Sequence, residues 1–165
     1  MKRPIMFNLF KKKESKVMGK LEGKVAVITG GSSGMGLATA QEFVNNGAKV
    51  VIFGRGQEAL DAATAQLGSN SHAIKGDITN LGDLDRLYSE TTSKFGKIDV
   101  LFINVGQGKL APIADTDEAF FDSMIDVNFK GSYFSLQKAI AHLNGKASVI
   151  ITTSWLNEIL SLIHI

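Results

Sequence analysis

Short apolar runs of strand length alternate with stretches of helical spacing along most of the chain, and this alternation restricts the possible folds more than any other feature. The runs are Val25–Thr29, Lys49–Phe53, His72–Lys75, Val100–Ile103 and Ser148–Thr152. Between them, Met35–Asn46, Gln57–Leu67, Leu81–Phe95, Phe120–Ile125 and Phe129–Leu143 repeat apolar residues on one helical face. Gly47 and Gly68 stand just past two of these stretches, where helix caps belong. Strands that are apolar throughout need cover on both faces, so the sheet is expected to be parallel. Right-handed crossovers then give a doubly wound α/β fold. The pattern stops on the fifth strand without a helix to cover it, so the expected sheet is incomplete.

At 165 residues and 44% hydrophobic, the chain has material for one packed core. It has no cysteine, which excludes disulfides, thiolate metal sites and a cysteine nucleophile, and fits a reducing, cytoplasmic setting. Apolar runs such as Val50–Phe53 fall far short of the roughly 20 residues of a membrane span. The net charge of +2 is unevenly placed: residues 1–18 hold six basic residues and Glu14, which leaves the remainder at −3. The body therefore offers no nucleic-acid footprint. Residues 1–18 are expected to be a basic, flexible lead-in, with Met18 as an alternative start. Lys11-Lys12-Lys13 also allows contact with an anionic surface. Residues 19–159 form the expected domain. Leu160–Ile165 can be encoded by CTG TCT CTT ATA CAC ATC, a transposon mosaic end, and is expected to be an adapter-derived tail.

The strongest local signal is Thr29-Gly30-Gly31-Ser32-Ser33-Gly34-Met35-Gly36, set between the first strand and first helix. Gly30 suits the sharp turn off the strand, Gly34 leaves the backbone open to a phosphate, and Gly36 allows helix and sheet to approach closely. The helix N-terminus then offers N–H groups and positive dipole to a pyrophosphate. An ordinary glycine-rich turn is the competing reading. No Gly-Lys-Ser/Thr comes after it, so this is not a phosphate-loop ATPase.

The Gly-x3-Gly-x-Gly spacing resembles the cofactor loop of the short-chain dehydrogenases/reductases, and further segments match that family in order over about residues 20–158. The resemblance implies a Rossmann-type sheet binding NAD or NADP through Gly30, Ser32, Ser33, Gly34, Met35 and Gly36. At the end of the second strand, Gly54-Arg55 replaces the acidic residue that would hold the ribose hydroxyls of NAD. Gly54 leaves room, and Arg55 offers a charge-assisted contact to a 2′-phosphate, so NADP is the expected preference. Stacking on adenine or facing solvent are the other readings of Arg55. Asp77-Ile78 resembles the family's adenine-contacting pair, and Asn104-Val105-Gly106 resembles its Asn-Ala-Gly motif, with Val105 narrowing the pocket slightly.

In that family a Tyr and a Lys four residues later handle the proton, a Ser holds the substrate oxygen, and an Asn anchors a water. Asn128, in Asp126–Gly131, and Ser154, after Ser148–Thr153, match the last two. The Tyr-x-x-x-Lys pair is not in this sequence. Tyr88 is followed four residues on by Thr92, and Tyr133 by Gln137, so both read as packing residues. His72, His142 and His164 lack ligand spacing, and no metal site is expected. The resemblance thus implies an oxidoreductase moving hydride between nicotinamide and a carbonyl or secondary alcohol, assembled as a homo-oligomer, with no nucleic-acid or membrane partner. The alternative is a non-catalytic dinucleotide-binding or regulatory protein. The family's further strands and helices would cover Ser148–Thr152 and the face of Phe129–Leu143 carrying Phe134 and Leu136.

Overall fold

The computed structural model describes residues 19–153. Its backbone is a five-stranded parallel sheet in the order β3-β2-β1-β4-β5. In chain order the elements are β1 (Val25–Thr29), α1 (Gly34–Asn45), β2 (Lys49–Gly54), α2 (Gln57–Leu67), β3 (Ser71–Lys75), α3 (Leu81–Phe95), β4 (Ile98–Ile103), α4 (Glu118–Ile125), α5 (Ser132–Ala139) and β5 (Leu143–Ile151). This is the doubly wound α/β arrangement that the alternation implies.

Side chains alternate across each strand, and the two faces bury separate clusters. Ala26, Ile28, Val50 and Ile52 pack with Ala40 of α1 and Leu60, Ala63 and Leu67 of α2. Val27, Val51, Phe53 and Ile74 pack with Leu84, Leu87 and Tyr88 of α3 and Ala139 of α5. All five residues of β1 are buried, as a central strand covered on both faces requires.

The helix after β4 departs from the periodic pattern. Between α4 and α5 the chain makes a π-helical turn over Asp126–Gly131, and a 3₁₀ turn over Ile140–His142 comes after α5. Phe134 and Leu136, the expected uncovered positions, instead lie partly buried against the sheet. The exposed face carries Phe129, Tyr133 and Ile140, each at least 60% accessible.

β5 is longer than the apolar run, since it starts at Leu143 and includes Asn144-Gly145-Lys146. Leu143 therefore belongs to a strand and not to the preceding helix. The pairing shifts register between Ile98 and Val100, which accommodates the polar stretch. Asp99 holds this corner: it accepts hydrogen bonds from Lys24 Nζ at 3.0 Å, the Val25 N–H at 3.0 Å and Asn144 Nδ2 at 2.9 Å. Burial pushes its carboxyl pKa up, but the three donors outweigh burial and hold it below the usual carboxylate range. A depressed carboxylate pKa stabilises the fold above the unfolded value, and that stability is lost as pH falls through the folded value. Asp99→Ala should therefore cost about 1–3 kcal/mol at pH 7. The deficit should shrink as pH falls below about 4, the unfolded value, and through the lowered folded value, where the wild-type carboxylate protonates. Urea unfolding at both pH values measures it, and a deficit independent of pH would refute the assignment.

Candidate functional site

The order of the strands reverses between β1 and β4, and ligands of open α/β sheets bind in the crevice beyond the strand ends at such a point. Here that crevice is a cleft of about 460 Å³. Its walls come from the ends of four strands: Gly30, Ser32 and Ser33 after β1, Arg55 after β2, Asp77 and Ile78 after β3, and Asn104, Val105 and Gly106 after β4.

Short hydrogen bonds fix these four ends together. The Gly30 N–H donates to the Phe53 carbonyl at 2.8 Å, and the Gly76 N–H to the Gly54 carbonyl at 2.8 Å. Thr29 Oγ1 accepts from the N–H groups of Asn104 at 3.1 Å and Val105 at 3.4 Å, which ties β1 to the turn beyond β4. Asn104 Oδ1 accepts from Thr152 Oγ1 at 2.9 Å and so links that turn to the end of β5.

The glycine loop folds as its residues require. Gly30 and Gly34 have φ of +68° and +52°, the left-handed region that L side chains avoid. Gly36 is a close-approach position, because a Cβ there would lie 2.1 Å from the Gly30 carbonyl oxygen. Ser33 is the N-cap of α1, but its side chain makes no capping hydrogen bond. The first hydrogen bond at the start of α1 runs from the Leu37 N–H to the Ser33 carbonyl at 3.1 Å. The N–H groups of Gly34, Met35 and Gly36 thus precede the helical ladder and remain available to an acceptor. A Cβ added at Gly34 would meet nothing within 4 Å, so the approach to them is open. Loop, helix start and cleft together fit the phosphates of a dinucleotide.

Arg55 is exposed at the cleft rim, and the ion pairs among the described residues do not involve it. A Cβ at Gly54 would meet Ser32 Oγ at 3.5 Å, an ordinary van der Waals contact, so the end of β2 lies directly against the glycine loop. A second recess of about 370 Å³, lined by Arg55, Lys75, Gly76, Asp77, Asp83 and Arg86, adjoins this end of the cleft.

At the other end, a largely apolar cleft of about 860 Å³ shares Asn104 to Gln107 with the first and includes Asn128, Met124, Phe129, Tyr133, Leu136 and Ile151. Asn128 sits in the π turn, and its amide is committed to one residue's backbone: Oδ1 accepts from the Gln107 N–H at 2.8 Å and Nδ2 donates to the Gln107 carbonyl at 2.9 Å. Gln107 in turn reaches the Ser123 carbonyl through Nε2 at 2.5 Å. Motif spacing does not predict this latch between the β4 loop and the α4–α5 helix, although Gln107 directly succeeds the Asn-x-Gly motif. Ser154 lies outside the described residues.

Of the two tyrosines, Tyr88 is buried, and its phenol shares a 2.6 Å hydrogen bond with Ser135. Burial raises its pKa well above the ordinary phenol value, against a smaller lowering by Ser135. Tyr133 is 60% accessible and meets Phe134 edge to face at 5.2 Å. Among the described residues no three His, Asp or Glu side chains cluster as metal ligands, and no helix is long and apolar enough to cross a membrane. His142 Nδ1 pairs with Thr92 Oγ1 at 3.0 Å, and His72 packs edge-on against Phe95.

Residues 24–161 match the family profile of the short chain dehydrogenases. The chain is 44% identical over 137 residues to the oxidoreductase asL5 of Sarocladium schorii, an alignment covering 82% of this chain and 55% of that protein. It is 33% identical over 149 residues to Tropinone reductase-like 1 of Erythroxylum coca, covering 87% and 55%. The crystal structure of a short-chain dehydrogenase/reductase, a glucose/ribitol dehydrogenase from Brucella melitensis, aligns with a TM-score of 0.82 at 28% identity, over 85% of this chain and 60% of that one. The chain thus spans little more than half the length of these relatives. Over that span the sheet, the loop after β1 and the family profile agree, and the chain belongs to the short-chain dehydrogenase/reductase family.

Proposed function

We propose that the chain is the cofactor-binding portion of an NADP(H)-preferring oxidoreductase that moves hydride between nicotinamide and a carbonyl or secondary-alcohol carbon of a small molecule. One observation carries this reading: the cleft at the strand switch point combines an uncapped α1 N-terminus with Arg55, and no acidic side chain stands at the end of β2. When bound, the nicotinamide supplies or accepts the hydride. The chain's own residues bind and orient. The N–H groups opening α1 hold the pyrophosphate, Arg55 meets the 2′-phosphate, and Asp77 with Ile78 takes the adenine. Gly106 lets the backbone pass close to the nicotinamide end. Asn128 acts through the Gln107 backbone that it clamps, and Ser154 holds the substrate oxygen. The exposed apolar face of Phe129, Tyr133 and Ile140 supports assembly with further copies or further chain.

Titration with NADPH and NADH tests the reading directly. A charge-assisted hydrogen bond is worth about 1.5–3 kcal/mol, so NADPH should bind about ten- to a hundredfold tighter. Arg55→Ala should erase most of that difference. Equal affinities before mutation would refute the assignment. The second reading, a dinucleotide-binding protein without catalysis, is favoured for the 165 residues themselves by one observation: neither tyrosine has a lysine four residues on.

A further inference from the structure

We propose that Asp83 and Arg86, in the first two turns of α3, are positioning residues for adenine recognition, because they fix the backbone of Asp77 at the cleft wall. The proposal rests on the reading of Asp77 as the adenine contact and adds the device that holds it. β3 ends its ladder at Lys75, paired with Gly54, and the chain then leaves the sheet. Nothing in the ladder holds Asp77. Its N–H donates instead to Asp83 Oδ2 at 2.9 Å. Arg86 Nη2 donates to Asp83 Oδ1 at 2.7 Å and to the Lys75 carbonyl at 2.7 Å. The residues on both sides of Gly76 are therefore tied to one turn of α3. Gly76 itself has no slack, since a Cβ there would lie 2.4 Å from the Phe53 ring and 3.0 Å from Asp83 Cβ.

The helix turn that does the holding is fixed as well. Asn80 caps α3, its Oδ1 accepting from the N–H groups of Gly82 at 2.9 Å and Asp83 at 3.2 Å. On the Asp77 side chain, Oδ1 accepts from the Thr79 N–H and hydroxyl, both at 2.9 Å. Oδ2 has no hydrogen-bond partner among the described residues, and Asp77 lines both the main cleft and its side recess. One oxygen thus anchors the side chain, and the other remains to accept from a donor such as the 6-amino group of adenine. Arg86 also neutralises Asp83, so a carboxylate can brace the loop without repelling either Asp77 or a phosphate.

The test compares adenine with hypoxanthine, which carries a carbonyl oxygen where adenine carries the amino group. The full 165-residue chain is titrated calorimetrically with NADP and with its hypoxanthine analogue. The wild type should prefer the adenine form by about tenfold or more. Asp83→Ala should bring that ratio close to one, and Asp83→Asn, which keeps an oxygen for the Asp77 N–H, should retain most of it. An unchanged ratio in Asp83→Ala overturns the proposal, as does an equal loss of affinity for both ligands, the mark of a structural role alone. A wild-type ratio of one removes the Asp77 reading itself, and the positioning role with it. If Asp83→Ala does not fold, Arg86→Gln at its exposed position substitutes: a reduced ratio supports the proposal, and an unchanged one overturns it.

Discussion

Gly36→Ala should abolish dinucleotide binding and remove a large part of the chain's stability. The added Cβ would stand 2.1 Å from the Gly30 oxygen, 2.8 Å from its carbonyl carbon and 3.0 Å from Asn104 Nδ2. None of these is the free end of a flexible side chain. Gly30 is held by its 2.8 Å hydrogen bond to Phe53, and Asn104 by Thr152. Overpacking costs typically about 1–3 kcal/mol and more where the surroundings cannot yield. Set against a domain margin of about 5–15 kcal/mol, that is a severe loss. Relief requires α1 to back away from the loop, which shifts the N–H groups proposed to hold the phosphates. A displacement of about 1 Å can cost a hundredfold in a positioned interaction. Gly34→Ala is the control: its site is open, so it should cost only the left-handed penalty of about 1–2 kcal/mol. Urea unfolding and NADPH titration of both variants measure the contrast. A milder effect at Gly36 than at Gly34 would show that helix–loop contact does not hold the site together.

The 165-residue chain should bind cofactor without turning it over. General acid–base assistance is typically worth about 10²–10⁴-fold in rate, and neither tyrosine of the sequence has the lysine four residues on that would complete a tyrosine–lysine pair. Tyr88 is the poorer donor of the two tyrosines, since burial raises its pKa and Ser135 occupies its phenol. Tyr133 reaches the apolar cleft but has Gln137 where a lysine would tune it. Cofactor oxidation by the purified, folded chain with carbonyl substrates would overturn this. Activity lost in Tyr133→Phe would identify Tyr133 as the donor.

The parts of the fold legible in the sequence are those in which local chemistry and burial agree. β1 reads as a strand because every residue in it is apolar or β-branched, and every one is buried. The ends of β2, β3 and β4 bring Arg55, Asp77 and Asn104 to the same cleft, as a parallel sheet must if all strands point one way. The missed features depend on distant partners. Leu143 to Lys146 look like a helix end and loop, and they become strand because β4 and Asp99 recruit them. The π turn keeps nearly the same apolar spacing as an α-helix, so periodicity cannot reveal it. Gly31 and Gly131 look ordinary alone, yet a Cβ would lie 2.7 Å from Ile52 in one case and 2.9 Å from Ile78 in the other. The hydroxyl of Thr29, which accepts two peptide N–H groups, has no signature in a β-branched strand.

The bond from Asn104 N–H to Thr29 Oγ1 joins residues 75 apart in the chain. The walls of the cleft are therefore distant in sequence, although β1 and β4 pair directly in the sheet. Long-range closures of this kind are slow and are rewarded only when complete. A ligand that touches Gly30 and Gly106 at once contacts both walls and has nothing comparable to hold while they are apart. It acts as a molecular strap across this long-range seam, adding about 2.7 kcal/mol when present at a hundred times its dissociation constant. Hydrogen exchange should then slow most in β4 and the turn beyond it when cofactor is added, rather than in the glycine loop proposed to hold the phosphates.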